Sequence, residues 1–218
     1  MYVSIDIPEI ENYPEGFPGF WIRTIFIGQA SSDYQVNALT TLYVRLVEAA
    51  FVEYRLGLSA LKEYWNTHTS IAMGAMHRSC SYYESCITNM HRAQKCFSRM
   101  RRHPALGELS ATLNSPKPSF VHANVSKQLR NMRNEIHHTE EMLMNGHISR
   151  GQPLMLRADG PETPHPTEAN QTNKSIDRLI VGNHELLFSE LADWLVEMGV
   201  YCEKISKTLP SSSEETNT

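Results

Sequence analysis

Residues 129–139 read LRNMRNEIHHT and hold two arginines, two asparagines, a glutamate and two adjacent histidines. Around them Val125, Leu129, Met132, Ile136 and Leu143 recur at three- and four-residue steps, the period of a helix with one buried face. That places Met132 and Ile136 inward, with Arg133 at the edge of the core face. His137 and Arg130 share the adjoining flank, with Asn134 and His138 further round. The polar residues therefore make a lateral band, the arrangement of a cleft or a subunit interface. Read as the third long helix, this segment sets the fold of the rest.

Outward from it, three more segments carry helical period. One runs from Asp33 to about His68, with Ser32 or Asp33 as cap and Leu42, Leu46, Ala49, Leu56 and Ala60 as its apolar stripe. The next spans about Ser70 to Arg102 and stops before Pro104. Met76, Cys80, Tyr83, Ile87, Met90 and Phe97 form its core face. The third helix runs from about Ser119 to Gly146, and the fourth from about Lys174 to Thr208. On the fourth, Leu179, Leu187, Leu191, Leu195, Met198 and Ile205 face inward, with His184 as a packed core histidine.

Four long amphipathic helices predict a mainly α protein, a four-long-helix bundle over 31–208. Residues 1–30 are expected to be an N-terminal β arm. Val3, Ile5 and Ile7 alternate with polar neighbours, and Trp21 to Ile27 is a second strand candidate. Residues 147–173 interrupt the bundle. Leu154-Met155-Leu156 before Asp159-Gly160 reads as a short hairpin, and PETPHPTEANQTN as a solvated loop. Residues 209–218 read as a disordered tail.

The chain has 218 residues, enough to bury a core, and a net charge of -4, so contact with a polyanion would use a local patch. Its four cysteines include no Cys-x-x-Cys pair, which points to a reducing compartment rather than a disulfide scaffold or zinc site. No signal peptide or membrane span is expected, and the expected location is the cytoplasm.

Other groups of interest lie on the first two helices. Glu53 falls within an apolar stripe and calls for an Arg or Tyr partner, or else orients a site. His77, Glu84 and His91 recur every seven residues along one edge, either packed or as a metal-dependent hydrolytic site. Arg99, Arg101 and Arg102 complement a helix C-terminus and can also meet phosphate.

In the central band, arginine offers a permanently charged planar fork for phosphate oxygens, and histidine exchanges a proton near neutrality. Asparagine can hold a ribose hydroxyl or a phosphate. Together these types suit metal-free RNA cleavage. One histidine helps deprotonate the 2′-hydroxyl, arginine stabilises the transition state, and the second histidine protonates the leaving oxygen. The bland alternative is a salt-bridged helix surface using Glu135, Glu140 and Glu141.

Arg133-Asn134-Glu135-Ile136-His137-His138 resembles the signature of the HEPN superfamily, an arginine, a polar residue and then a histidine after four to six intervening positions. Arg130-Asn131…His137 satisfies the same spacing. The resemblance implies a helical bundle and a cofactor-free endoribonuclease of the toxin or antiphage-defence kind, active as a homodimer. RNA and an antitoxin protein would be its partners. Carried over by position, it implies Arg133, Asn134, His138 and His137 as catalytic, with Arg130 and Asn131 binding substrate. Some members are not catalytic, so a helical module that binds a protein partner or nucleotide is the alternative.

Overall fold

The computed structural model describes residues 2–11, 14, 16–26, 31, 33–67, 73–107, 109–114, 116–146, 154–157 and 160–208. The protein is mainly helical, with a short N-terminal strand and further strands late in the chain. It divides into two compact units, each assembled from three stretches. One takes Met1–Ile10, Val52–Thr88 and Lys127–Asp193, the other Glu11–Phe51, Asn89–Ser126 and Trp194–Thr218. Among the described residues, every strand belongs to the first unit. No helix among them is long and apolar enough to cross a membrane.

The all-helical unit begins with α1 (Gly16–Phe26). It continues with the first part of α2 (Tyr34–Thr67) and the last part of α3 (Met73–Met100). The short α4 (Leu109–Asn114) and the C-terminal part of α7 (Phe188–Lys207) complete it. Asp33 caps α2, its Oδ1 accepting from the backbone N–H of Gln35 at 2.8 Å and of Val36 at 3.0 Å. The core here is aromatic. Phe97 lies 5.2 Å from Tyr43, 5.0 Å from Phe120 and 5.1 Å from Tyr201, ring centre to ring centre. Both tyrosine hydroxyls find carbonyls, Tyr43 on Met198 at 2.9 Å and Tyr201 on Pro116 at 2.6 Å, so burying them leaves no donor unmet. A single 3-10 turn, Ser119–Val121, leads towards α5 (Ala123–His137). The Glu197 carboxylate accepts from the backbone N–H of Ser119 at 2.9 Å and of Phe120 at 3.2 Å. This satisfies donors that a helix start leaves open.

The sheet-bearing unit holds the remaining parts of α2, α3, α5 and α7, the short α6 (Thr139–Met144) and two three-stranded sheets. In one sheet β1 (Tyr2–Ile5) pairs in parallel with β4 (Thr172–Ile176), Tyr2 opposite Asn173. β3 (Thr163–Pro164) pairs antiparallel on the other side of β4. In the other, β5 (Arg178–Val181) lies between β2 (Leu154–Arg157) and β6 (His184–Leu187), antiparallel to both. Gly182-Asn183 closes the β5–β6 hairpin. Gly182 carries φ +58, which a side chain would make costly. Leu156, Leu179, Val181 and Leu186 are buried. On the helices, Tyr83 stacks near Tyr54 and Phe188, and Gly57 is needed beneath it. A Cβ there would stand 2.9 Å from the ring.

Several sequence expectations change. The segment from Trp21 to Ile27 is not a strand: residues up to Phe26 belong to α1, and Ile27 lies outside the described residues. Phe17 and Phe20, three apart, are the buried pair, and Trp21 donates to Glu48 at 2.8 Å. Helical period outweighed β-branched composition. On α2 the buried stripe is led by Tyr43, Val47, Phe51, Tyr54 and Leu58, and Leu56 is exposed. The tyrosines turn the helix because their rings bury and their hydroxyls reach carbonyls.

The third helix stops at His137, and α6 restarts after His138, whose φ of -109 and ψ of 17 leave the helical range. The last helix starts at Phe188 rather than Lys174. Residues 174–187 instead run through β4, β5 and β6, so His184 sits on a strand, half-exposed. β2 finds its partner at residues 178–181 rather than in a local hairpin, and Asp159 lies outside the described residues. Within the expected loop 161–173, β3 and the start of β4 are ordered strand. The tail 209–218 also lies outside the described residues.

Candidate functional site

α5 positions the central band within the sheet-bearing unit. Leu129 and Met132 are fully buried and Ile136 half-buried, which fixes the rotation of the helix. Arg130, Asn134, His137 and His138 are left exposed, with Asn131 and Arg133 half-buried. Arg130, Asn131, Arg133, Asn134 and His137 thus share α5, and His138 follows its last residue. Arg133 Nη1 donates to Asn134 Oδ1 at 3.3 Å. The His137 imidazole is held below its usual pKa by partial burial first, then by the Arg133 guanidinium one turn earlier and by His138.

The kink at His138 alters the geometry expected of an unbroken helix. His138 stands where α6 begins, and its Nδ1 lies 3.2 Å from Glu141 Oε2, one turn on. That contact engages Nδ1 with the carboxylate. Thr139 ties the junction by donating its hydroxyl to the Glu135 carbonyl at 2.8 Å.

The salt-bridged surface weighed above is met only in part. Glu141 meets His138, and Glu135 lies 3.6 Å from His184 Nε2. Among the described residues, neither Arg130 nor Arg133 pairs with a carboxylate. Arg178 in the same unit shows what a satisfied guanidinium looks like. It forks onto Asp177 at 2.9 and 3.1 Å and reaches Glu185 at 3.2 Å.

Glu135, expected on the helix surface, is not a surface charge. Its side chain is largely buried, and its Oε2 has no hydrogen-bond partner among the described residues. Gly182 at the hairpin lies directly against that oxygen, where a Cβ would collide with it. Only the β5–β6 hairpin reveals this. The sequence signal was the dipeptide Gly182-Asn183 between two apolar runs.

Glu53 is half-buried with its carboxyl pKa raised by burial, and among the described residues it has neither the Arg nor the Tyr partner expected for it. His77 is exposed, Glu84 is half-buried with its pKa likewise raised by burial, and His91 is buried. None of Glu53, His77 or Glu84 is hydrogen-bonded or ion-paired to residues 130–138 among the described residues. No group of three or more His, Cys, Asp or Glu side chains there is placed to share a metal ion.

No family model matches the chain, and comparison with curated proteins and with solved structures gives no match either.

Proposed function

We propose that the protein is a HEPN-like endoribonuclease that cleaves RNA without a metal, acting as a cytoplasmic homodimer in a toxin or antiphage role, restrained by an antitoxin protein. On this reading the long helices are the family's four-helix bundle, and two copies of residues 130–138 meet across the dimer. The observation that carries it is the pair of unneutralised guanidiniums on the helix that carries His137. Arg130 and Arg133 lack carboxylate partners among the described residues, and Arg133, after burial, lowers the pKa of His137.

The chemistry balances on these side chains. His137 takes the 2′-hydroxyl proton as that oxygen attacks the adjacent phosphorus. Arg133, steadied by Asn134, stabilises the charge gathering on the non-bridging oxygens. A protonated His138 gives its proton to the departing 5′-oxygen, leaving a 2′,3′-cyclic phosphate and a free 5′-hydroxyl. Arg130 and Asn131 would hold the flanking backbone.

Incubating the protein with RNA in EDTA tests this. Arg133→Ala and His138→Ala should each slow cleavage by about 10²–10³-fold. Cleavage undiminished in either variant sinks the site assignment. A second reading has one observation in its favour, the contact of His138 with Glu141, which occupies a ring nitrogen. It makes the band a non-catalytic surface for a protein partner or nucleotide, and predicts no cleavage but retained dimerisation or ligand binding.

A further inference from the structure

The all-helical unit carries a second cationic feature that the cleavage chemistry does not use. Where α3 ends, a groove of about 500 Å³ is lined by Lys95, Arg99, Arg102, His103, Ser98 and Ser126. Among the described residues no carboxylate lines it. Among the described residues, Lys95, Arg99 and Arg102 make no ion pair, although the chain as a whole is net negative. Arg101, between them in sequence, is spent elsewhere: its Nε donates to Asn114 Oδ1 at 3.1 Å.

The ring of His103 is fixed. Its Nδ1 accepts from the Ala105 backbone N–H at 3.3 Å, and its Nε2–H donates to Gln35 Oε1 at 3.2 Å. Helix-dipole compensation accounts for Arg99 in the last turn but not for Lys95, a turn earlier. Three unpaired cations lining one groove carry a standing electrostatic cost that an anion would relieve.

The form of the groove narrows the anion. Lys95 and Arg99 stand one helical turn apart, about 6 Å at helical rise, and Arg102 extends the row into the turn after α3, so the cations are spread along the groove rather than gathered round one point. Such a row fits a chain of negative charges. The groove offers hydroxyl donors from Ser98 and Ser126, and among the described residues no Phe, Tyr or Trp side chain lines it for a base to stack on. We propose that this groove binds the phosphodiester backbone of a nucleic-acid strand, independently of base sequence. The proposal does not rest on the cleavage reading, since it concerns other residues and backbone contacts alone.

The test uses fluorescence anisotropy with a labelled single-stranded DNA of about 20 nucleotides. DNA lacks the 2′-hydroxyl and cannot be cleaved by the route above, so binding is read whether or not the protein is a nuclease. Kd is measured between about 50 and 200 mM salt for the full chain and for K95A/R99A/R102A. Removing three backbone contacts should flatten the slope of log K against log salt by about 2 and weaken binding at least ~10-fold. R99K/R102K, which keeps the charge, should retain most of the slope. R45A/R92A, which removes exposed cations outside the groove, should leave it unchanged. The proposal is overturned by an unchanged slope in the triple variant with a native circular dichroism spectrum, or by an equal loss in R45A/R92A. Displacement of the strand by equimolar inorganic phosphate would overturn it as well, marking a small-anion site.

Discussion

Around Phe97 the protein is held by rings, and around Leu179 by a sheet. In the all-helical unit Phe97, Phe120 and Tyr201 pack edge to face, Tyr43 lies tilted against Phe97, and the two tyrosine hydroxyls end on backbone carbonyls. In the sheet-bearing unit Leu156, Leu179, Val181 and Leu186 close an aliphatic layer on three short strands. The difference extends to charge. The all-helical unit lines a groove with Lys95, Arg99 and Arg102 and, among the described residues, no carboxylate, whereas the sheet-bearing unit sets exposed arginines and histidines on α5 beside a largely buried Glu135. An aromatic core tolerates irregular connections because rings fill space from several sides. A short sheet depends on register, and so on its turns.

Phe97→Ala should cost most, about 3–5 kcal/mol by urea denaturation, because the surrounding rings cannot close the space. A loss under about 1 kcal/mol would mean that the rings are not the seat of that unit's stability. Leu179→Ala should follow at about 2–4 kcal/mol, removing the centre of the aliphatic layer.

Gly182→Ala comes next, at about 1–2 kcal/mol, from the left-handed backbone and the displaced Glu135 carboxylate. If it is silent, turn geometry is not what sets the register of β5 and β6.

Smallest in stability but most direct on charge is Arg133→Gln, which should raise the titration midpoint of His137 followed by NMR. The sign is set by the depressed native pKa. The folded state takes up the proton less readily than the unfolded chain, so His137's contribution is present above its unfolded pKa and fades as pH falls through the folded value. A midpoint that stays put would show that Arg133 does not act on His137.

What the sequence made legible follows physical range. α2, α3 and the face of α5 could be read because helical period is a local property, and Met132, Tyr83 and Phe97 are buried as their spacing demands. The band at 130–138 was legible for the same reason. Strands near residues 3–5 and 154–156 were legible from alternation and composition, but their pairing was not, because β1 is completed by residues 172–176 and β2 by residues 178–181, partners that no local pattern announces. Leu179 and Leu187 fit a helical stripe as well as a strand, and only long-range pairing decides between them. The role of Glu135 was hidden likewise, since Gly182 and His184 reach it from another part of the chain.

The pairing of Tyr2 with Asn173 has a consequence for biosynthesis. At about 5–20 residues per second, residues 2–5 emerge roughly 10–30 s before the strand they join. Through that interval they are an unpaired edge, open to any other extended chain. Ser4 and Asp6, interleaved with Val3, Ile5 and Ile7, make that edge less attractive to strangers while it waits.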